Sequence, residues 1–138
     1  MSEFSFSGID DFIFSMEKVA NIPEEVQDEI LVEQADVLVH ELRLRGEGYG
    51  VSDTGAMLQS IKAGKPKKGK KGGRQLVVSP RGKRKDGKTN GEVAFLNNYG
   101  TRHQMARPFW TDTEKLTERT MEKVGAEVYD KYLVKNGL

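Results

Sequence analysis

Chemistry at a protein site needs a nucleophile with a base, a cluster of metal ligands or a cradle for phosphate, and few side chains in this chain could supply them. There are two histidines, His40 and His103, and no cysteine. His40 falls inside a helical pattern without the Glu-x-x-His spacing that turns two ligands toward one metal, so it reads as an ordinary helix position. His103 lies in a polar loop with Arg102, Gln104 and Arg107, a setting for hydrogen bonding at a surface or interface. Neither Gly46, Gly48 and Gly50 nor the glycines from 69 to 73 lead into the Gly-Lys-Ser/Thr that opens a phosphate-binding helix. The carboxylates are many, but they recur at solvent spacing on amphipathic helices, where no apolar pocket sets one pKa apart from another. Asn97, Asn98 and His103 do not amount to the paired histidines of a His-Asn-His nuclease. No catalytic, metal or cofactor-binding residue is assigned, and the expectation is a protein that is not an enzyme.

The 138 residues suffice for one domain with a single core, 36% of them hydrophobic and 31% charged. The apolar runs, such as Phe12-Ile13-Phe14 and Leu76-Val77-Val78, are all too short to cross a bilayer. The opening Met1-Ser2-Glu3-Phe4 has no basic stretch leading into an apolar segment, and with no cysteines the expected compartment is cytoplasmic. The formal net charge of +1 hides a strong partition. Residues 1–61 hold 13 acidic and 3 basic side chains, residues 62–91 hold 1 and 12, and residues 92–138 hold 7 of each. Such a split in one domain points to a macromolecular partner or to further copies of the chain. The basic block carries Lys65, Lys67, Lys68, Lys70, Lys71, Arg74, Arg81, Lys83, Arg84, Lys85 and Lys88. It is rich in glycine, so self-repulsion and backbone freedom together predict loops that a partner would order.

The elements that must position these charges follow from periodicity. Residues 8–21 carry Ile9, Phe12, Ile13 and Met16 at three- and four-residue steps, which predicts a short helix with Asp10 and Asp11 in its first turn. Pro23 restarts the pattern for a long helix of about 20 residues, on the order of 30 Å. Its apolar face holds Val26, Ile30, Val37, Leu38, Leu42 and Leu44 or Arg45, its opposite face Glu25, Asp28, Glu29, Glu33, Asp36 and Glu41, and Gly46, Gly48 and Gly50 end it. Residues 52–61 read as a polar cap and one or two helical turns. Residues 60–63, 74–79 and 92–97 are the strand candidates, with Asp86-Gly87 and Asn90-Gly91 as turns before the last. Pro108 opens a closing helix whose stripe holds Phe109, Leu116, Met121, Val124, Val128 and Tyr132. The expected fold is α+β: two N-terminal helices, a small antiparallel sheet with long basic loops, and a C-terminal helix packed on the sheet.

Two local motifs flank the basic block. The first is Asp53-Thr54-Gly55-Ala56-Met57-Leu58-Gln59-Ser60-Ile61. The second runs from Asn97-Asn98-Tyr99-Gly100-Thr101 to Ala106-Arg107-Pro108-Phe109. In the first, a polar cap starts a short helix whose Leu58 and Ile61 return to the core. In the second, Tyr99 would anchor a strand end, Gly100 would break the strand, Arg107 offers a fork of donors and Pro108 sets the angle of the last helix. In this order and spacing the motifs resemble the HK-type tail-component family of long-tailed phages. That family typically has an Asp-Thr-Gly-x-Leu-x-x-Ser-Ile stretch after a long helix, then Glu-Tyr-Gly-Thr and Ala-Arg-Pro-Phe before the C-terminal helix. The resemblance spans about residues 20–130 and rests on Asp53, Thr54, Gly55, Leu58, Ser60, Ile61, Tyr99, Gly100, Thr101, Ala106, Arg107, Pro108 and Phe109. Val51, Asn98 and Met105 depart from it, standing where proline, glutamate and proline are usual.

The resemblance implies a structural virion protein of a phage or prophage particle, of the neck, tail-completion or tail-terminator type at the head–tail junction or tail end. Such proteins assemble as rings around the DNA channel, made in the host cytoplasm and built into the particle. The implied partners are further copies of the chain, the neighbouring connector or tail-tube proteins and, without sequence readout, the genome DNA; no membrane and no cofactor is implied. The matched residues would then determine fold and interface. The charge blocks suit head-to-tail packing, the acidic helix of one subunit meeting the basic hairpin of the next. The alternative is a non-sequence-specific nucleic-acid-binding module using the loops of residues 62–91. These contain no aromatic residue for stacking single strands, which leaves electrostatic contact with duplex.

Overall fold

The β-branched run at Val77-Val78 has one neighbourhood that suits it, the interior of a sheet, and the chain is organised around that choice. The computed structural model describes residues 3–7, 11–16, 22–50, 56–69, 73–83 and 87–137. In chain order the elements are β1 (Glu3–Ser7), β2 (Asp11–Met16), α1 (Glu24–Gly48), α2 (Ala56–Ser60), β3 (Ile61–Ala63), β4 (Lys67–Lys68), β5 (Arg74–Pro80), α3 (Asn90–Tyr99) and α4 (Phe109–Lys135). Strand β5 is central: β2 pairs along one side of it with β1 beyond, and β3 and then β4 pair along the other, all antiparallel. Ala63 faces Val78 and Lys67 faces Gln75, so the β3–β4 side has one residue more than the strand opposite. That extra residue is a bulge at the Gly64 step, where the Gly64 N–H still reaches the Val77 carbonyl at 2.8 Å.

The α+β class is as expected, with the long helix packed on the sheet and the C-terminal helix packed along the long helix. Two elements differ from the sequence reading. Asp11–Met16 is a strand, not part of a helix; the rest of the predicted 8–21 helix lies outside the described residues. Phe and Ser alternate from Phe4 to Ser7, and the register sets Phe4 opposite Phe14 and Phe6 opposite Phe12. A hairpin uses that period of two, which the three- and four-residue steps around Phe12 and Ile13 disguise. Likewise residues 92–97 form helix α3 instead of a strand. Thr89 is its N-cap and its Oγ1 accepts the Glu92 N–H at 3.0 Å, so Thr89-Asn90-Gly91-Glu92 starts a helix where Asn90-Gly91 alone suggested a hairpin turn.

Helix α1 reaches 25 residues because Gly46 is buried inside it; the helix stops only at Gly48, with Tyr49 as C-cap and Gly50 at φ 74°. Its apolar side is buried twice over. Leu31, Ala35, Leu38 and Leu42 meet the sheet residues Leu76 and Val78 and the residues of α2 in one continuous core, while Ile30 and Gln34 lie along α4. Complete burial of each large aliphatic side chain contributes about 1.5–3 kcal/mol. Leu44, expected on this face, is half exposed.

Close approach of α1 and α4 depends on Gly125: a Cβ there would stand 2.8 Å from Gln34 Nε2 and 3.3 Å from Ile30 Cγ2. The same Gln34 amide donates to the Met121 carbonyl at 2.8 Å, so a polar side chain is buried between the helices with its donor used. The α4 stripe runs through Trp110, Thr113, Thr117, Met121, Gly125 and Val128. Leu116, placed on that stripe from the sequence, is 62% exposed. Two threonines displace it because each satisfies its own hydroxyl, Thr113 Oγ1 donating to the Phe109 carbonyl and Thr117 Oγ1 to that of Thr113.

One carboxylate on α4 is held against its preference. Partial burial, and then the negative charge of Glu118, raise the Glu114 pKa above the ordinary carboxylate value. Because its folded-state pKa is the higher one, ionised Glu114 destabilises the fold at neutral pH. The penalty fades as pH falls through the raised folded value, and is gone below the unfolded one. Glu114→Gln is therefore expected to raise the thermal midpoint at pH 7 and to lose that advantage below about pH 4, the range of an ordinary glutamate. An equal gain at both pH values in parallel melts would contradict this.

Candidate interaction surface

The second motif is the joint between α3 and α4. Asn98, at the end of α3, is buried, and its Oδ1 accepts the backbone N–H groups of Trp110 at 3.1 Å and Thr111 at 3.2 Å. It thereby caps the first turn of α4 from a distance of twelve residues. Gly100 follows at φ 80° and ends α3; a Cβ there would lie 2.8 Å from the Ala106 nitrogen and 3.0 Å from the Gln104 carbonyl oxygen. Glycine is thus required for both conformation and space. The turn between closes on itself through reciprocal backbone bonds between Thr101 and Gln104, and the Arg107 N–H donates to the Asn97 carbonyl at 2.7 Å. Arg107 Nη1 then reaches across to the Gly50 carbonyl at 2.8 Å, fastening this joint to the end of α1. Beside it the Tyr49 hydroxyl donates to Asp112, a bond that raises the Tyr49 pKa and keeps the phenol protonated.

The sequence reading of Tyr99 and Gly100 as a strand end is corrected by the same geometry. Both terminate a helix, and Tyr99 is 48% exposed, its ring tilted against that of Phe95 at 5.0 Å and not anchored in the core. Phe109 is the anchor, fully buried and edge-on to Trp110. Thr101 is exposed, Pro108 half-buried and Ala106 exposed.

Of the first motif, Asp53, Thr54 and Gly55 lie outside the described residues. Leu58 and Ile61 are buried, and Ser60 Oγ donates to the Met57 carbonyl at 2.6 Å. What holds this end of α2 is a residue the sequence reading passed over. Arg43 of α1 donates to the carbonyls of Leu58, Gln59 and Ile61 at 3.2, 3.3 and 2.9 Å, a cation placed on the free oxygens of a helix C-terminus. No spacing signals such a contact, since Arg43 and Ile61 meet only through the tertiary fold.

The basic block is divided by the fold. Lys65, Lys67, Lys68, Arg81, Lys83 and Lys88 are exposed, while Lys70, Lys71, Arg84 and Lys85 lie outside the described residues. Arg74 is not available for a partner: its guanidinium grips Asp28 at 2.7 and 3.0 Å and Glu24 at 2.8 Å. The Asp28 hydrogen bond, opposed by burial and aided by the charges of Asp28 and Glu24, raises its pKa and fixes its charge. The acidic helix and the basic block thus touch within one chain, at the point where β5 begins. Further along, Asp36, His40 and Arg43 of α1 and Lys62 and Ala63 of β3 line a groove of about 440 Å³. At the other end of α1, Glu25 and Glu29 line a second groove, of about 470 Å³, with Val128, Lys131, Tyr132 and Lys135 of α4.

Among the described residues no three of His, Asp and Glu stand together as a metal cage, and no helix is long and apolar enough to cross a membrane. Compared with protein-family models, curated proteins and solved structures, the chain finds no match.

Removing the distal cap tests the joint. Asn98→Ala is expected to lower unfolding stability by about 1–2 kcal/mol, the value of an N-cap acceptor with buried N–H groups left behind. Thr101→Ala, on the exposed turn, is expected to change it by less than about 0.5 kcal/mol. Equal urea midpoints for the two variants would show that Asn98 does not hold α4.

Proposed function

We propose that the chain is a structural protein of a phage or prophage particle, a neck, tail-completion or tail-terminator subunit that assembles as a ring around the DNA channel. The observation that carries this reading is the use made of the motif residues. Leu58 and Ile61 fill the core, Gly100 admits the Ala106 backbone, Arg107 ties the α3–α4 joint to α1, and Phe109 seats α4. These are positions that set the angles between elements, as a subunit with a fixed place in a closed assembly requires. The described basic side chains at 65, 67 and 68 stand on a sheet edge, where they can face a neighbouring protein or DNA phosphates without reading sequence.

That same exposed edge favours a second reading, a nucleic-acid-binding module that does not assemble. Sedimentation of the full chain over a range of concentrations, with and without duplex DNA, separates the two. A closed species of fixed mass that forms without DNA is the expected result. Tight, steeply salt-dependent duplex binding by a chain that never forms a closed species would replace this reading with the second.

A further inference from the structure

We infer that copies of this chain join head to tail, the turn at Met105 of one copy seating in the groove between the start of α1 and the end of α4 of the next. The inference rests on the assembly reading above and supplies its subunit contact.

Met105 is 86% exposed, more than any other large hydrophobic side chain among the described residues. The turn that carries it is braced from within. Gly100 packs against Ala106, Thr101 and Gln104 exchange backbone hydrogen bonds, and the Arg107 N–H is fixed on the Asn97 carbonyl. Met105 and the exposed Arg102 therefore stand on a projection whose backbone has little freedom left to lose on binding.

The groove lies at the far end of the α1–α4 pair. The two helices run antiparallel, Gln34 meeting Met121 and Tyr49 meeting Asp112, and they approach closely at Gly125. Beyond that approach the groove of about 470 Å³ opens between the first turns of α1 and the last turns of α4. Val26, Val128 and Tyr132 are its apolar lining, Glu25 and Glu29 stand on its α1 side, and Lys131 and Lys135 stand on its α4 side. Among the described residues no ion pair joins these glutamates to these lysines. Methionine, unbranched and polarizable, adapts to an irregular slot of this kind. With Met105 inserted, Arg102 is drawn to the Glu25 and Glu29 carboxylates and repelled by Lys131 and Lys135. Charge thus sets the orientation that apolar contact alone leaves free.

Turn and groove are far apart on one chain, since Tyr132 is 23 helical steps beyond Phe109, about 35 Å. A chain cannot fill its own groove, and two copies joined by one contact keep a free turn at one end and a free groove at the other. Such a contact is heterologous, and it adds subunits until the ring closes.

Sedimentation velocity of the full chain over rising concentration tests it, with the fold of each variant followed by circular dichroism. Wild type is expected to grow from the 15.5 kDa chain mass to species beyond twice that mass. Met105→Asp, on the turn, and Glu25→Lys with Glu29→Lys, in the groove, are each expected to stay at the chain mass. In an equimolar mixture the intact groove of the first takes the intact turn of the second, while the other junction is spoiled on both sides. The mixture is therefore expected to stop at a one-to-one pair. Adding Arg102→Glu to the groove variant is expected to restore growth. Variants that assemble as wild type does, a mixture that stays monomeric or grows past a pair, or no growth on adding Arg102→Glu would each overturn the inference. Rings formed by the variants would do so while leaving the ring reading in place. Wild-type filaments that both variants abolish would keep this contact and remove the ring. A wild type that is monomeric throughout would overturn both.

Discussion

Helix α1 is buried on two sides at once, against the sheet and against α4, and one strip of its circumference is left for solvent. Eight acidic and two basic residues must be accommodated on a helix constrained in this way. Two of the acids, Glu24 and Asp28, are on the side where β5 begins, and Arg74 neutralises them. Others have no choice but the open strip. The charge partition seen along the chain is thus the surface that remains once the core is made. The lysines of β3 and β4 stand at the sheet edge because those strands pair along the outer side of β5.

The ends of α1 are fastened with equal economy of parts. Its first turn is held by Arg74, and just past its last turn the Gly50 carbonyl accepts from Arg107 and the Tyr49 hydroxyl donates to Asp112. Arg43 in between clamps the end of α2, so Arg43, Tyr49, Arg74 and Arg107 each join segments more than ten residues apart. Guanidinium groups suit this work, since one planar fork reaches two or three oxygens with little reorganisation. The α3–α4 joint completes the frame. There the Asn98 amide oxygen, at the end of one helix, accepts the first free N–H groups of the next.

Much of this frame was legible in the sequence where the pattern was long and had one explanation. The acidic helix, the β5 run and the closing helix after Pro108 all stand where periodicity puts them. Short segments failed for physical reasons. In residues 11–16 the apolar spacing fits a helix and a strand alike, and only pairing with β1 and β5 decides between them. At Asn90-Gly91 a turn signal and a capping box overlap, and the cap prevailed because Val93, Ala94 and Asn98 share a buried face once the segment is helical. Of the candidate interface, the basic edge was visible as a run of lysines. That Arg74 belongs to the fold and the neighbouring lysines to the surface was not, because a charge run does not say which member meets a carboxylate across 46 residues.

The central claim is that this frame serves a subunit of a closed assembly. Electron micrographs of the purified full chain at high concentration test it most directly. Rings of uniform diameter with a central opening are the predicted result. Open filaments, or fields of single and paired chains at every concentration, would contradict it.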